Sequence, residues 1–594
     1  MTDKAIADVN EIQEKPGISA FFERASLVMF GLGFAAGMPN QLAGVALAIW
    51  LREAGASFAL IGLMGLCTLT YALKFLWSPI VDRVPIPFLD AKLGRRRSWM
   101  MITQIGVIIG ILLMATRDPA LAFTPSGDAT SAFIPFALFT VLIAFAGATQ
   151  DITIDAWRIE VAREGNRLGV LTATYQWGYR VAILISGALP LFIAQAINGD
   201  AYQWLGWAVA YVAMAGFMLL AILATILAPR ETAAPAPRWI PPADVPDRGV
   251  LDLLEWVVRL GLMVLAGCVL GVGLAGKAEP LAWLVGDLYG GTEAMGKALA
   301  TKPWGVYQQL GYAVVGLSLV VCACLPIPKF KSRPASYFKA ALGDPVIEFF
   351  TTFKDVATLI LVFVCVYRIA DFVLNLTSTL YLDAGFSKDQ IAYAQKFFGA
   401  AMAALGAGLS GWGVLKIGMF RCLIIGAFLQ PLSNLAFISI SLYGANMPAL
   451  YIAIGIDNIS GMFAGTSFII YLSTLTKSGF TATQYALFTS LYALPGKIIT
   501  ALGGRIVEGA AKSAETGWLG SMKTLFNHLP PEAFAAGGAK IGVTGQALAA
   551  GYTAFFAYTS LIGIVGIVAA LAVSSGKARK AVEDHERAEV AAES

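Results

Sequence analysis

The chain has 594 residues, of which 57% are hydrophobic and only 13% are charged, and its mean hydropathy is +0.70. Soluble domains are about a quarter charged and at most about half apolar, so this composition excludes a soluble globular protein and indicates a polytopic membrane protein. The 42 Lys and Arg residues nearly balance the 38 Asp and Glu residues, which argues against a nucleic-acid-binding protein.

The predicted elements are apolar stretches, and about fourteen of them reach the roughly 20 residues that a spanning helix needs. They lie at 26–51, 58–81, 98–116, 131–157, 168–196, 205–228, 250–275, 305–327, 355–381, 391–415, 420–443, 447–475, 481–507 and 547–574. None of them alternates as a barrel strand does, and backbone in lipid must satisfy its own hydrogen bonds. We therefore predict an all-α polytopic membrane protein in which two six-helix bundles flank two inserted helices.

The distribution of basic residues predicts the orientation of the chain in the bilayer. About 26 of the Lys and Arg residues fall in segments on the side of the N-terminus and about 9 on the opposite side, which predicts that both termini are cytosolic. The first 25 residues are polar and have no apolar core with a small-residue cleavage site, so we expect no cleaved signal peptide.

A proline-rich stretch at 229–249 contains six prolines and predicts a semi-rigid linker. Short matches at 51–57 and 381–387, 154–155 and 456–457, and 171–174 and 480–483 occur in the same order in both parts of the chain, which favours a duplicated bundle. The predicted division is a first bundle (1–228), the linker (229–249), an inserted helix pair (250–327), a basic cytosolic segment (328–354), a second bundle (355–575) and a cytosolic tail (576–594).

A long segment at 508–546 lies between the last two predicted spans. It contains Trp518, Leu525 and Phe526 among small residues, which is compatible with short interfacial helices. An exposed loop is an equally good interpretation.

Two acidic residues occupy the predicted span at 131–157. Asp151 and Asp155 are four residues apart and share one helical face, with Gln150 beside them and Arg158 about one turn further on. Ionisable groups inside a span usually face a cavity or a partner, and a carboxylate at low dielectric can exchange protons near neutral pH. We predict that Asp151 and Asp155 couple transport to protons; a purely structural pairing of Asp155 with Arg158 is the alternative.

Further polar side chains lie within other predicted spans. We assign the following to a central solute-binding site: Gln41, Gln150, Arg180, Arg368, Asp371, Asn375 and Asp457. Lys396 and Asn458 also lie inside apolar runs. Acids and bases from two bundles suit an anionic or zwitterionic solute, because Arg binds carboxylates with two hydrogen bonds. Arg368 and Asp371 are three residues apart and alternatively neutralise each other.

The loop after the second predicted span carries a charged signature. It contains Asp82 and Arg83 and, further on, Gly94 followed by Arg95, Arg96 and Arg97. This pattern resembles the Asp-Arg and Gly-Arg-Arg signature of the major facilitator superfamily. The resemblance implies that Asp82, Arg83 and the three arginines act in gating, as a clasp that stabilises one access state. A simple positive-inside anchor is the alternative.

Several longer runs resemble the AmpG-type muropeptide permeases. These runs are Lys74–Arg83, Ala148–Arg158, Gly178–Arg180 with Ser186–Gly187, Tyr367–Asp371 and Phe480–Leu487. The resemblance implies a proton-driven importer in the bacterial inner membrane. Its solute would be the disaccharide of N-acetylglucosamine and 1,6-anhydro-N-acetylmuramic acid, with or without peptide, carried from periplasm to cytosol.

Two alternatives for the function remain open. Acetyl-CoA transporters share the Gln-Asp-Ile-x-x-Asp core of this wider family, so another organic anion is possible as the solute. A membrane receptor that keeps the fold without transport is the second alternative. Both histidines lie outside the predicted spans and no Gly-rich phosphate loop occurs, so we expect neither an enzyme nor an ATP-driven pump, and no cofactor or bound metal.

Overall fold

The computed structural model describes residues 18–56, 61, 64, 67, 70–123, 129–162, 165–199, 201–231, 241–285, 291–301, 304–325, 331–372, 376–500 and 503–591. Within these ranges the regular structure is helical and no strand occurs. Twelve helices are long and apolar enough to cross a membrane, in a search restricted to the same residues. Four of the predicted spans, 58–81, 305–327, 355–381 and 481–507, lie partly outside the described residues.

The first half of the chain contains five labelled helices. They are α1 (Arg24–Ala43), α2 (Arg95–Ala115), α3 (Ala129–Ala162), α4 (Gly165–Asn198) and α5 (Trp204–Leu227). Helix α1 ends at Gly44, whose unusual backbone angles (φ −109°, ψ −96°) interrupt the helix before it resumes as Val45–Glu53. Shorter pieces in this half are Ile18–Phe22, Thr70–Leu73, Lys74–Leu76, Ser78–Arg83, Asp90–Leu93 and Pro119–Phe123.

The remaining long helices continue in chain order. They are α6 (Val250–Ala275), α7 (Trp304–Cys324), α8 (Ala357–Val366), α9 (Gly399–Ile417), α10 (Met419–Ala436), α11 (Met447–Thr474), α12 (Thr481–Thr500), α13 (Gly545–Val573) and α14 (Gly576–Ala591). Shorter pieces between them are Glu279–Leu281, Ala282–Val285, Gly291–Ala300, Arg333–Phe338, Lys339–Gly343, Asp344–Phe353, Lys354–Val356, Ile369–Phe372, Thr377–Ala384, Lys388–Ala392, Tyr393–Phe398, Ile438–Tyr443, Gly503–Thr516, Gly520–Thr524 and Ala535–Ile541.

Each half has a packed apolar interior of its own. The largest cluster joins α1 to α5 and includes the fully buried Trp50 and Trp207, whose rings stack 5.7 Å apart. Helices α1 and α4 approach so closely that a Cβ on Gly178 would lie 1.9 Å from the carbonyl oxygen of Phe30. Small residues allow such backbone contact in membrane helices, so glycine is required at this crossing.

The second half is organised around two further apolar clusters. One lies among Thr377–Ala384, α11 and α13, and the other packs α8 against α10, α11 and α12. Helices α9 and α4 bring the two halves together, and the indole Nε1 of Trp177 donates a 2.7 Å hydrogen bond to the carbonyl oxygen of Ala404.

The inserted helices α6 and α7 pack beside the seam between the halves. Met263, Ala266 and Leu270 of α6 share an apolar cluster with Phe75 from the first half and Ala486 from the second. The pair therefore touches both halves on one side of the molecule.

The segment 508–546 contains short helices, which decides between the two interpretations of its sequence. Phe526 and Phe534 are fully buried, whereas Trp518 is 84% exposed. The backbone N–H of Phe534 donates to the carbonyl oxygen of Asp383 (2.8 Å), and Tyr552 donates to the Asp383 carboxylate (2.7 Å). The segment is thus a packed cap at one end of the second half.

We call the opposite end of the molecule the terminal face. It contains Arg24, Asp82, the start of α12 at Thr481 and the final helix α14. His585 and Val582 of α14 are buried there, and Glu589 accepts a 2.8 Å hydrogen bond from the backbone N–H of Ser478. The final helix therefore packs against the second half.

Candidate functional site

A compact group of charges lies in the interior of the first half. Lys74 forms a short ion pair with Asp151 and lies 3.7 Å from a carboxylate oxygen of Asp155. Asp155 in turn lies 3.1 Å from Arg158, and Asp151 accepts a 2.9 Å hydrogen bond from the hydroxyl of Tyr175. Two acids thus balance two bases. Among the four charged side chains Asp151 is the most exposed, at 15%.

This group also reaches the second half of the protein. Arg158 donates a 2.9 Å hydrogen bond to the hydroxyl of Tyr485 on α12. Its guanidinium lies over the rings of Tyr175 and Tyr485, 5.4 and 5.5 Å from their centres. A charge in one half is therefore held by aromatic and hydroxyl groups from both halves.

A second group of charges closes the terminal face. Asp82 accepts hydrogen bonds from the backbone N–H of Ala482 (3.2 Å) and from the N–H (2.8 Å) and hydroxyl (2.6 Å) of Thr483. These donors are at the N-terminus of α12, where a carboxylate is favoured by the unsatisfied N–H groups and the helix dipole. Asp82 also lies 2.8 Å from Arg96, which pairs with Glu160 through two 3.1 Å contacts from Nε.

The other arginines of the charged signature have different positions. Arg83 reaches the segment 328–354, where its guanidinium forms a short hydrogen bond to the carbonyl oxygen of Ala340. Arg95 donates to the carbonyl oxygen of Asp82 at 2.6 Å. Arg97 donates to the carbonyl oxygen of Ala228 at 2.8 Å, so its described contacts stay inside the first half.

The second half has a third polar group. Arg368 forms a short ion pair with Asp371, and the amide of Gln430 lies 3.4 Å from the same carboxylate. Asp457 accepts a 3.4 Å hydrogen bond from the hydroxyl of Ser433. Arg368 and Asp371 are thus neighbours in space as well as in sequence.

A cavity of about 290 Å3 lies between the halves. Its polar lining comes from Gln41 and Arg180 of the first half and from Gln395, Lys396 and Asn458 of the second. Helix α4 begins at the terminal face, so Arg180 lies about midway along it and the cavity extends away from that face. Arg180 is also within electrostatic range of Arg368 and Asp371, so the cavity and the third polar group are adjacent.

The structure therefore distributes the predicted site residues over three places. Gln41 and Arg180 line the cavity, Arg368, Asp371 and Asp457 lie in the second half, and Asp151 and Asp155 belong to the first group of charges. Gln150 is fully buried, and neither of its amide atoms has a hydrogen-bond partner among the described residues. Asn375 lies outside the described residues.

Several residues of these sites were not assigned a role from the sequence. Lys74 and Glu160 supply the counter-charges for Asp151 and Arg96, and Gln395 and Lys396 line the cavity. Lys74 lies inside an apolar run, and a charged residue within a span is itself a signal of function. Glu160 carried no such signal because it is close to a predicted helix end. In a search limited to the described residues, no group of three or more His, Cys, Asp or Glu side chains is placed to hold a metal.

Comparison of the fold with solved structures identifies the class of protein. The chain aligns with the major facilitator superfamily proton:xylose symporter XylE, bound to 6-bromo-6-deoxy-D-glucose, with a TM-score of 0.50 and 13% identity over 93% of this chain and 95% of that one. The chain thus has the major facilitator fold, and the twelve apolar helices in its described part make it a multi-pass membrane protein.

Comparison with known sequences shows which proteins of this fold the chain is similar to. The chain is 26% identical to the anhydromuropeptide permease of Escherichia coli (strain K12) over 490 residues, 82% of this chain and 75% of that protein. It is 24% identical to the putative transporter AmpG 4 of Rickettsia conorii over 481 residues, 81% of this chain and 89% of that protein. The model of a family described as acetyl-coenzyme A transporter 1 matches residues 26–226. The predicted resemblance to AmpG-type permeases of the major facilitator superfamily is confirmed.

Proposed function

We propose that this transporter imports muropeptides in symport with protons across the bacterial inner membrane, with both termini in the cytosol. The similarity to the anhydromuropeptide permease over 82% of the chain is the observation that carries the choice of solute. The cavity between the halves supports it, because polar side chains from both halves are needed to surround a disaccharide.

The proposed solute site consists of the cavity and the adjacent polar group. Gln41 and Arg180 contact the solute from the first half, and Arg368, Asp371 and Asp457 complete the site in the second half. Amide side chains suit sugar hydroxyls because they both donate and accept hydrogen bonds, and arginine suits a carboxylate. Gln150 and Asn375 remain candidates for the same site.

Asp151 is the proposed proton carrier. Its carboxylate is the most exposed of the first group, and it shares Lys74 with Asp155. Protonation of Asp151 removes its charge, so that Lys74 pairs with Asp155 alone. The electrostatic environment of Arg158 changes as a result, and so does its contact with Tyr485. A proton added at one residue is therefore transmitted to a contact between the halves.

Transport is proposed to occur by rocking of the bundles 1–228 and 355–575, with 229–249 as linker, 250–327 as inserted pair, 328–354 as basic segment and 576–594 as tail. The structure has the terminal face closed by Asp82 and its partners on α12. With that face in the cytosol, the structure is a state closed to the cytosol. Asp82 and Arg83 make the contacts to α12 and Ala340 that must break on release of the solute. Arg95 and Arg96 hold Asp82 and act with it in gating, and Arg97 anchors this region within its own bundle.

The decisive experiment measures uptake of labelled N-acetylglucosamine-1,6-anhydro-N-acetylmuramic acid into proteoliposomes under an inward proton gradient. We expect accumulation that a protonophore abolishes. Asp151→Asn should retain exchange of the solute but lose gradient-driven accumulation, because an amide neither gains nor loses the proton. Glu293→Gln is the control, since Glu293 is 80% exposed and pairs only with Lys297 among its described partners.

Two results would overturn this proposal. Full gradient-driven accumulation by Asp151→Asn would remove Asp151 as the carrier, and absence of uptake by folded wild-type protein would remove the muropeptide as solute. Binding of the disaccharide without flux would instead indicate a receptor.

Acetyl-CoA is the second candidate solute, favoured by the match of residues 26–226 to the acetyl-coenzyme A transporter model. An exchanger of this kind is expected to show counterflow of labelled acetyl-CoA that is insensitive to the protonophore. The same proteoliposomes test this alternative directly.

A further inference from the structure

The cavity between the halves carries one cation from each side, Arg180 and Lys396. We propose that these two side chains form a clamp for a single carboxylate of the solute, and that Lys396 is a specificity-determining residue. The identity of this carboxylate rests on the proposed function, in which the solute is a muropeptide. The clamp selects the charged part of the solute, and it includes Lys396, which the sequence placed inside an apolar run without assigning it a role.

The local backbone explains why Lys396 faces the cavity. Residues Tyr393–Phe398 form a π-helical turn between Lys388–Ala392 and α9. Such a turn contains one residue more than an α-helical turn, which rotates the following side chains by about 100° around the axis, and π-turns occur frequently at functional sites. The turn contains both Gln395 and Lys396, the two cavity residues that this part of the chain contributes.

Both cations lack an acidic partner within hydrogen-bonding distance. No ion pair of Arg180 or Lys396 occurs within the described residues, in contrast to Lys74, Arg96 and Arg368. The Nη2 group of Arg180 is 2.8 Å from the sulfur of Met462, a weak acceptor, and its Nε is buried without a partner among those residues. The guanidinium therefore has unused hydrogen-bonding capacity beside the cavity.

Charge explains why an anion fits between these groups. Two like charges that face one cavity repel each other when it is empty, and an anion placed between them is attracted to both. Since Arg180 belongs to the first half and Lys396 to the second, the anion also draws the halves together. A carboxylate suits a guanidinium and an ammonium at once. The lactyl group of anhydro-N-acetylmuramic acid supplies it in the disaccharide without peptide, and the carboxylates of the peptide supply it when a peptide is attached through the lactyl group.

The remaining cavity side chains suit the uncharged part of such a solute. Asn458 donates its amide to the carbonyl oxygen of Ile454 at 2.9 Å, which leaves its own carbonyl oxygen as an acceptor. Gln41 presents a second amide from the opposite half. Hydroxyl groups of a sugar are therefore recognised beside the clamp.

The test compares binding of the free disaccharide acid with binding of its carboxamide, in which the lactyl carboxylate is replaced by a neutral amide. Equilibrium binding to the purified full-length protein avoids any requirement for flux. We expect Lys396→Gln to weaken binding of the acid by about 10- to 100-fold, the effect of losing a hydrogen bond to a charged group, and to leave binding of the carboxamide unchanged. Lys396→Arg should restore most of the affinity for the acid.

The matched control is Lys416→Gln, because Lys416 is an exposed lysine at the far end of α9, and it should change neither affinity. Equal weakening of acid and carboxamide by Lys396→Gln, or no weakening of the acid, overturns the clamp. If wild-type protein binds neither disaccharide but binds acetyl-CoA, whose anionic groups are phosphates, the muropeptide proposal and the carboxylate clamp both fail. Failure of wild-type protein to bind any of these anions overturns the clamp as well.

Discussion

The charged side chains of the terminal face are paired, whereas those of the interior cavity have no acidic partner among the described residues. At the terminal face Asp82, Arg96 and Glu160 are almost fully buried and satisfy one another or the start of α12. In the cavity Arg180 and Lys396 face a space and have no acidic partner among the described residues. Buried charges that are paired with other protein groups stabilise a contact, whereas unpaired charges beside a cavity are available to bind a ligand. The residues that set the access state are therefore different from the residues that select the solute.

Removal of Asp82 tests most strongly whether buried charges hold the terminal face closed. Asp82→Ala deletes three hydrogen bonds to α12 and leaves the Arg96 guanidinium with Glu160 as its one described carboxylate partner. Breaking a buried ion pair costs about 3–5 kcal/mol, so we expect a lower melting temperature and uptake reduced at least about tenfold. Thr483→Val, which removes only the hydroxyl donor, should produce a smaller loss. Unchanged melting temperature and uptake would contradict a gating role.

Tyr485→Phe probes the other contact between the halves. It removes the 2.9 Å hydrogen bond to Arg158, worth about 1.5–3 kcal/mol for a charged donor, and should shift the access equilibrium toward opening of the terminal face. Distances between spin labels on the two halves at that face measure the shift. Tyr471→Phe is the matched control, because the Tyr471 hydroxyl is buried without a hydrogen-bond partner in the described part of the chain; a shift of equal size there would exclude the Arg158 contact as the cause.

Gly411 lies at the crossing of α9 with α4, where the two halves are in contact. A Cβ at this position would lie 2.8 Å from the Cβ of Ala173 and 2.9 Å from the carbonyl oxygen of Gly169. Such overpacking costs about 1–3 kcal/mol, and only while the halves are in contact here. Gly411→Ala should therefore weaken closure of the terminal face, measured by the same label distances. Gly216→Ala, where a Cβ meets no atom within 4 Å, should have no effect.

The smallest expected effect is a pH dependence of the final helix. Burial against Phe353 lowers the pKa of His585 below its ordinary 6.5, and nearby Lys477 lowers it further. The hydrogen bond that the ring donates to the carbonyl oxygen of Thr476, together with the charges of Glu589 and Glu348, opposes the shift. A detached tail then binds the proton more readily than a packed one, so packing is favoured above about pH 6.5 and weakens as the pH falls.

Hydrogen exchange of α14 measured from pH 8 to pH 5 tests this sign. We expect the protection factor of α14, which is the intrinsic exchange rate at each pH divided by the observed rate, to fall toward low pH in the wild type and to change less in His585→Asn. A protection factor that rises as the pH falls would contradict the burial of a neutral His585.

The sequence by itself determined the class of fold. Apolar runs of about 20 residues have few stable forms in a bilayer, which explains the agreement between most predicted spans and the helices. It also indicated which charged residues are exceptional, since Asp151, Arg180 and Arg368 stand out against apolar neighbours. The resemblance of the runs at 74–83 and 148–158 to AmpG-type permeases is specific because the runs include costly charges such as Lys74 and Asp151.

Only the tertiary structure decided which charges meet. Lys74 and Asp151 are 77 residues apart, and Asp82 and Thr483 are 401 residues apart, so no local pattern joins them. The structure also separated Gln150, which is buried, from Gln41, which lines the cavity, and it revealed the π-turn that contains Lys396. Periodicity predicts the face of a regular helix, whereas the partners of that face and its departures from regularity depend on how distant helices pack.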